Sequence, residues 1–326
     1  MKLLRLSLSN FRGVPNGRYE LTHPQSGEPL DLVVITGPNG SGKTRLLEAI
    51  IAAKESVGAY AARLDPISLI HPGMSEGSIE ATWKLSDDEV RRSGLPHAIW
   101  ATTMKLGPNA APPSVDPGLA KLFAQYLHQP VCGKPEYFPA NRHLFGARAP
   151  GIVPPLSEKA EARMRVGAEP SKYASIYSWL IGQGLRDIAA TADQVATRGL
   201  VLKHDLTDSL AGVKRSVAAL APHLRLIGIR LSAEGHGVIF RHVDGADVEL
   251  NELSDGERQA VLFAAAFERI QLHGSMVLID HPELFVHPFD HVRALRTIAA
   301  LGKDNQVIVT TTSQAILGNV ARHETI

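Results

Sequence analysis

Hydrophobic and polar residues alternate with two periods along this chain. Leu4, Leu6 and Leu8 alternate with Arg5, Ser7 and Ser9, the period of two that marks a half-buried strand. Asn10-Phe11-Arg12-Gly13 then turns the chain, and a second strand is expected near residues 18–21. Leu32-Val33-Val34-Ile35 is a continuous apolar run, read as a buried strand, and residues 46–51 open a helical pattern. Residues 78–85 (SIEATWKL) alternate again and predict a strand of a peripheral antiparallel sheet. Pro, Gly and Ala crowd residues 107–118 and 147–155, which predicts loops. Between them lie a predicted helix over 119–127 and the segment EYFPANRHL at 136–144. Residues 158–220 are mostly helical in pattern. Residues 224–231 and 237–242 alternate around 233–236, as in a hairpin. A helix then opens at 253–256 and runs to about 272, followed by a strand at 276–280, a helix starting at His287-Pro288 and a last buried strand at 306–310. Strands alternating with helices beyond 250 predict a mainly parallel sheet covered on both faces. There is no internal repeat and no low-complexity tract.

The most specific chemistry sits between the third strand and the first helix. Gly37 to Thr44 read GPNGSGKT, a complete G-x-x-x-x-G-K-[ST] phosphate loop in strand–loop–helix context. Its backbone N–H groups, at Asn39, Gly40, Ser41 and Gly42, can curl around phosphate oxygens, and the helix N-terminus adds partial positive charge. Lys43 can reach the β- and γ-phosphates, and the Thr44 hydroxyl can hold Mg²⁺. The chain is therefore expected to bind a nucleoside triphosphate.

Composition narrows the setting. With 326 residues, 44% hydrophobic and 21% charged, the sequence describes an ordinary globular protein. A net charge of +1 supplies no bulk argument for nucleic acid, although a local basic patch stays open. A lone cysteine, Cys132, excludes an intrachain disulfide and fits a reducing cytosol. No stretch reads as a signal peptide or a membrane span, so a cytoplasmic location is expected.

Three further features narrow the class. Met276-Val277-Leu278-Ile279-Asp280 is an apolar strand ending in an acid, the Walker B pattern, placing a carboxylate where it can bind Mg²⁺. One helix earlier stands Leu253-Ser254-Asp255-Gly256-Glu257, which resembles the LSGGE signature of ABC-type ATPases. By itself it also reads as an N-capped helix start, since Ser254 followed by Glu257 makes a capping box; its place just ahead of Walker B favours the signature. The opening LSLSNFRG, the segment from Asp280 to Pro288 (DHPELFVHP, against D-E-P-E-x-x-x-H-P) and Tyr137-Phe138-Pro139-Ala140-Asn141-Arg142 resemble the corresponding parts of the RecF/SMC/OLD-like branch. The resemblance covers both ends of the chain and fades between 58 and 222.

This resemblance implies an α/β fold, an ABC-type P-loop NTPase head with a mixed or parallel core sheet, a peripheral antiparallel sheet and an inserted helical subdomain. The expected organisation is an N-terminal lobe over 1–106, a Pro-rich connection over 107–157, a helical insert over 158–222 and a C-terminal lobe over 223–326. It implies ATP and Mg²⁺ as ligands, with Thr44 and Asp280 on the metal. Ser254 and Gly256 would close on the nucleotide of a second copy, giving a homodimer around an ATP sandwich. The head would gate a protein effector or a nucleic-acid-processing partner, as in repair or bacterial defence; a non-hydrolysing scaffold and a RecF-like DNA-binding head are the alternatives. Arg12 and Arg142 are candidates for phosphate contact, or else solvated or paired arginines. Related heads often continue past the switch segment, which leaves an extension beyond Ile326 open.

Two departures fall on hydrolysis. The family's catalytic glutamate follows the Walker B aspartate directly, and here that position is His281. The switch T-T-H-S reads Thr310-Thr311-Thr312-Ser313, with Thr312 at the histidine position. The expectation is intact nucleotide binding with slow or altered turnover, His281 or Glu283 serving as the base. No Q-loop glutamine is assigned. Two weaker patterns compete with bland readings. His287 and His291, four apart, could bind zinc, or else follow from a His-Pro helix start. Gly73–Gly77 matches G-x-S-x-G but lacks the strand before and helix after that a nucleophile elbow needs, and reads as a loop.

Overall fold

A computed structural model describes residues 1–60, 64–124, 133–144, 158–198, 206–232 and 235–326. Cys132, the 147–155 loop and the tip of the predicted hairpin at 233–234 lie outside the described residues. In chain order the elements are β1 (Lys2–Ser9), β2 (Gly17–Glu20), β3 (Leu32–Thr36), α1 (Lys43–Val57), β4 (Gly77–Lys84), α2 (Asp87–Ser93), β5 (Ile99–Leu106), α3 (Pro117–Phe123), β6 (Pro135–Phe138), α4 (Glu158–Met164), α5 (Ser175–Arg198), α6 (Ala211–Leu220), β7 (Leu224–Ser232), β8 (Gly235–His242), β9 (Asp247–Glu249), α7 (Asp255–Ile270), β10 (Met276–Asp280), α8 (His291–Ala299), β11 (Gln306–Thr311) and α9 (Gln314–Leu317). They fall into two compact units. The first holds Met1–Ala140, Glu158–Glu169 and Gln271–Ile326; the second holds Pro170–Ile270 with residues 141–144. The hairpin β7-β8 and helix α7 thus group with the helical segment.

The first unit contains two sheets. One is wholly parallel, in the order β3-β11-β10-β6. Its strands β3, β10 and β11 are buried almost throughout, which is why they read as unbroken apolar runs. The other is antiparallel, in the order β2-β1-β4-β5. Helix α1 packs against β4 and β5 on one side and β10 and β11 on the other, so it is apolar around most of its circumference. Trp83 on β4 is fully buried in this core, edge-on to Phe123 with ring centroids 5.0 Å apart, and its indole N–H donates to Thr102 at 2.8 Å.

The inward face of β1 is the one its alternation suggests at Leu6 and Leu8 and departs from it only at Leu4. Leu3, Leu6 and Leu8 are buried while Leu4 is not fully so, because a bulge between Leu3 and Arg5 shifts the register against β4. Leu3 in turn exchanges two backbone hydrogen bonds with the buried Gln306 amide of β11, at 2.6 and 2.9 Å, tying one sheet to the other. In the second unit an antiparallel sheet, β7-β8-β9, packs with α5 and α6, and α6 packs along α7. No helix among the described residues is long and apolar enough to cross a membrane.

Candidate nucleotide site

All strands of the parallel sheet point the same way, so their C-terminal ends share one rim, the usual place for a ligand in such sheets. There β3 runs into the phosphate loop, β10 ends on Asp280 and β11 ends on Thr311. The loop needs its glycines. Gly42, immediately before α1, sits at φ 93, and Gly37 at φ 153 would set an added Cβ only 2.6 Å from Ser41 Oγ. No side chain caps α1 and its first turn carries no acid. Its leading N–H groups are therefore left for an anion.

Lys43, nearly buried, donates from Nζ to the carbonyls of Gly37 and Pro38, both at 2.9 Å. Thr44 Oγ1 lies 3.1 and 3.0 Å from the two Asp280 carboxylate oxygens, although 236 residues separate the two in sequence. Thr310 donates a further hydrogen bond to Asp280. Hydroxyl and carboxylate oxygens at this spacing match one edge of a magnesium octahedron, about 2.9 Å for bonds near 2.1 Å. The donor set fits Mg²⁺. A pocket of about 260 Å³ opens over these groups, lined by Asn39, Gly40, Gly42, Lys43, Thr44, Arg45 and His281. It has the basic groups Lys43 and Arg45 and no carboxylate among its lining residues, as a polyphosphate requires.

Arg45 was not anticipated from the motif, whose last position is Thr44; its clue is only that it follows Thr44 on the first turn of α1. Arg12 does not line this pocket. Its guanidinium donates to Glu48 at 3.1 Å and to the Ser68 carbonyl at 2.8 Å, and Glu48 also holds Arg45 at 2.6 Å. Ser41 lies in the loop without lining the pocket.

His281 and Glu283, read from sequence as alternative bases, form one pair. His281 follows β10 at φ 51, and its backbone N–H meets the Thr310 carbonyl and hydroxyl at 3.2 and 3.1 Å. Its Nδ1 lies 3.1 Å from Glu283 Oε1. The same oxygen accepts the Thr311 hydroxyl at 2.8 Å and the Thr312 N–H at 3.1 Å, while the other, Oε2, is buried with no hydrogen-bond partner among the described residues. Thr312 thus serves through its backbone, with its side chain exposed. The hydrogen bond to Glu283 raises the His281 pKa, against burial and with help from the carboxylate charges of Glu283 and Asp280. Burial works against the Glu283 carboxylate, but its hydrogen bonds from His281, Thr311 and Thr312 outweigh it and the pKa falls. An imidazole with a raised pKa stabilises the fold below its unfolded pKa and loses that contribution as pH rises through the folded value; for the depressed carboxylate the contribution is lost as pH falls through its folded value. The charged pair is therefore strongest between the ordinary carboxylate and imidazole ranges. In Glu283→Gln the His281 imidazole is expected to titrate at lower pH than in the wild type, by proton NMR of its ring; an unchanged titration would contradict the pairing.

The zinc reading of the neighbouring histidines fails on partners. His291 Nδ1 meets Ser313 Oγ at 2.8 Å and Nε2 meets the Val286 carbonyl at 2.9 Å. His287 caps a short turn, accepting from the Phe289 N–H, and among the described residues no group of three or more metal-ligating side chains converges. Gly73–Gly77 is an exposed loop running into β4, with no strand–turn–helix elbow.

The residues whose sequence resembles the ABC signature belong to the second unit. Ser254 stands just before α7 and Gly256 in its first turn. The capping box is present: Ser254 donates its N–H and hydroxyl to Glu257 Oε2 at 2.9 and 2.7 Å, and the Glu257 N–H reaches Ser254 Oγ at 3.4 Å. Arg142 is buried in this unit. It donates to Gln259 Oε1 at 2.7 Å and lies over the Phe263 ring, so its phosphate-contact reading gives way to the paired one.

The family described as "AAA domain, putative AbiEii toxin, Type IV TA system" matches residues 145–318, just over half of the chain. The chain belongs to this AAA-domain family. A second family model described as an AAA domain matches residues 5–58, which include the phosphate loop. No curated protein matches the chain. Among solved structures, an Smc head bound to the C-winged helix domain of ScpA is similar at 15% identity and TM-score 0.53, covering 100% of this chain and 96% of that one. The SMC head domain from Thermotoga maritima is similar at 15% identity and TM-score 0.50, covering 98% and 92%. An Smc head with an extended coiled coil, bound to the C-terminal domain of ScpA derived from Pyrococcus furiosus, is similar at 14% identity and TM-score 0.53, covering 98% and 92%. The AAA-domain protein therefore has the fold of an ABC-type P-loop ATPase head of the SMC/RecF/OLD-like branch.

Proposed function

We propose that this AAA-domain protein binds Mg·ATP at the phosphate loop and closes on a second copy around two nucleotides, so that closure gates a protein partner. The observation that carries this is the Thr44–Asp280 contact beneath a pocket with basic lining at an uncapped helix N-terminus. In this reading Asn39, Gly40, Ser41, Gly42 and Lys43 hold the phosphates. Thr44 and Asp280 hold the metal, which neutralises phosphate charge when bound. Ser254 and Gly256 meet the nucleotide of the other copy. The paired ATP phosphates complete an interface that like charges would otherwise oppose, and loss of the nucleotide reverses it. Similar Smc heads bind a domain of ScpA, which supports a protein rather than a small molecule as the gated partner.

Hydrolysis is proposed to be slow. An imidazole with a raised pKa, held by Glu283 at the pocket wall, is charged over more of the neutral range and then has no lone pair to take a proton from water. The same observation supports a second reading, a nucleotide-sensing scaffold that assembles without turnover. Sedimentation with and without Mg·ATP tests the shared step, an ATP-dependent dimer. Phosphate release separates the readings: turnover lost in Lys43→Ala rules out the scaffold, and no turnover beside intact dimerisation rules out the ATPase.

A further inference from the structure

Two histidines meet at the signature of the second unit, and neither belongs to the nucleotide pocket. His223, just ahead of β7, sets Nε2 3.0 Å from Glu257 Oε1. His242, at the end of β8, sets Nδ1 3.6 Å from the same oxygen. Their rings stack at 21° with centroids 6.1 Å apart. The opposite oxygen, Oε2, accepts the N–H and the hydroxyl of Ser254. Three segments distant in sequence thus converge on one nearly buried carboxylate. The groups facing it are Ser254 from its own helix, His223 and His242; on the packed helix α6, Lys214 is held away by Asp208 at 2.9 Å.

This arrangement bears on what Ser254 can do. Its hydroxyl proton is committed to Glu257 at 2.7 Å, and a carboxylate within the first turn of α7 opposes an incoming phosphate. Both obstacles weaken if positive charge sits on the other side of Glu257. A protonated His223 or His242 on Oε1 offsets the carboxylate charge and so weakens the hold of Oε2 on the Ser254 hydroxyl, which frees the hydroxyl to turn toward a phosphate oxygen.

We propose that His223 and His242 are positioning residues for the signature, their protonation releasing Ser254 from Glu257 and making the start of α7 a competent acceptor for the γ-phosphate of the partner's nucleotide. The inference rests on the ATP-sandwich reading above. It makes closure tighter when these imidazoles are protonated and weaker when they are neutral, by about tenfold.

The test is the dissociation constant of the Mg·ATP-dependent dimer, measured by sedimentation from pH 6 to pH 8. Wild type is compared with the double variant His223→Gln, His242→Gln and with Glu257→Gln. His281 and the nucleotide also titrate, so the readout is the difference between profiles. The expected result is that wild type weakens about tenfold more than either variant as pH rises, and that Glu257→Gln dimerises tightly throughout. Superimposable profiles would overturn the assignment. Binding of a fluorescent ATP analogue to the monomer is measured in parallel. If it is intact and no dimer forms at any pH, the sandwich reading fails and this inference with it. If a dimer forms with the same pH profile in all three proteins, only the histidine assignment fails.

Discussion

Lys43→Ala is expected to lower ATP affinity by about 3 kcal/mol, roughly a hundredfold, while leaving the fold intact. The ammonium is nearly buried and bonded to the Gly37 and Pro38 carbonyls, so it is held in place before ligand arrives. Exchange of those two neutral acceptors for a polyphosphate gains a charge-assisted pair in a pocket with no opposing carboxylate in its lining. Alanine removes that gain and leaves phosphate charge facing only the loop N–H groups, Arg45 and the metal. The fold tolerates the change because α1 is anchored by Leu46, Leu47, Ile50 and the rest of its buried face, none of which touches the ammonium's role. Calorimetric titration with Mg·ATP checks the affinity, and thermal unfolding without nucleotide checks the fold. Unchanged affinity would remove the phosphate loop from the site. A comparable loss in Arg45→Ala would show that the second cation, which the motif does not contain, shares the load.

The contrast between Lys43 and Arg45 shows where sequence reasoning stops. The parallel sheet was legible because strands buried on both faces must be apolar without interruption, as in Val277–Ile279 and Val307–Val309. The phosphate loop was legible because its constraints are local: positive-φ glycines, a following helix and a lysine in fixed register. Strand β6 was missed since four residues with a proline and a glutamate show no period, although the sheet buries all four. Strand β5 was missed because much of it is exposed, and its pairing with β4 is a non-local fact. Helix α2 does carry a local signal, the capping box of Ser86 and Glu89. The bulge in β1 left no mark in the alternation at all. At the site, the pairing of His281 with Glu283 depends on a left-handed backbone at His281 that turns the next residues back toward β11, and no spacing rule in the sequence encodes that turn.

That pairing gives His281→Glu its expected result, a turnover at least about tenfold above wild type with ATP affinity little changed. The substitution exchanges an imidazole whose bond to Glu283 favours its protonated form for a carboxylate that can accept a proton. A glutamate there would lie near the carboxylates of Asp280 and Glu283, and like charges raise the pKa of such a group toward neutrality, where a general base works best. There is a cost. At φ 51 histidine is tolerated better than glutamate, and the new side chain forfeits the bond to Glu283, so thermal stability is expected to fall by about 1–2 kcal/mol. His281→Gln separates the remaining accounts. If the wild-type imidazole is itself the base, glutamine abolishes the residual turnover, and wild-type activity climbs as pH rises through the raised imidazole value. If the imidazole only occupies the place of a base, glutamine leaves the residual rate and its pH profile unchanged. A glutamate variant that binds ATP normally yet turns over no faster would mean that water is not activated from this position, and the slow step would then lie in closure of the two heads rather than in the chemistry at β10.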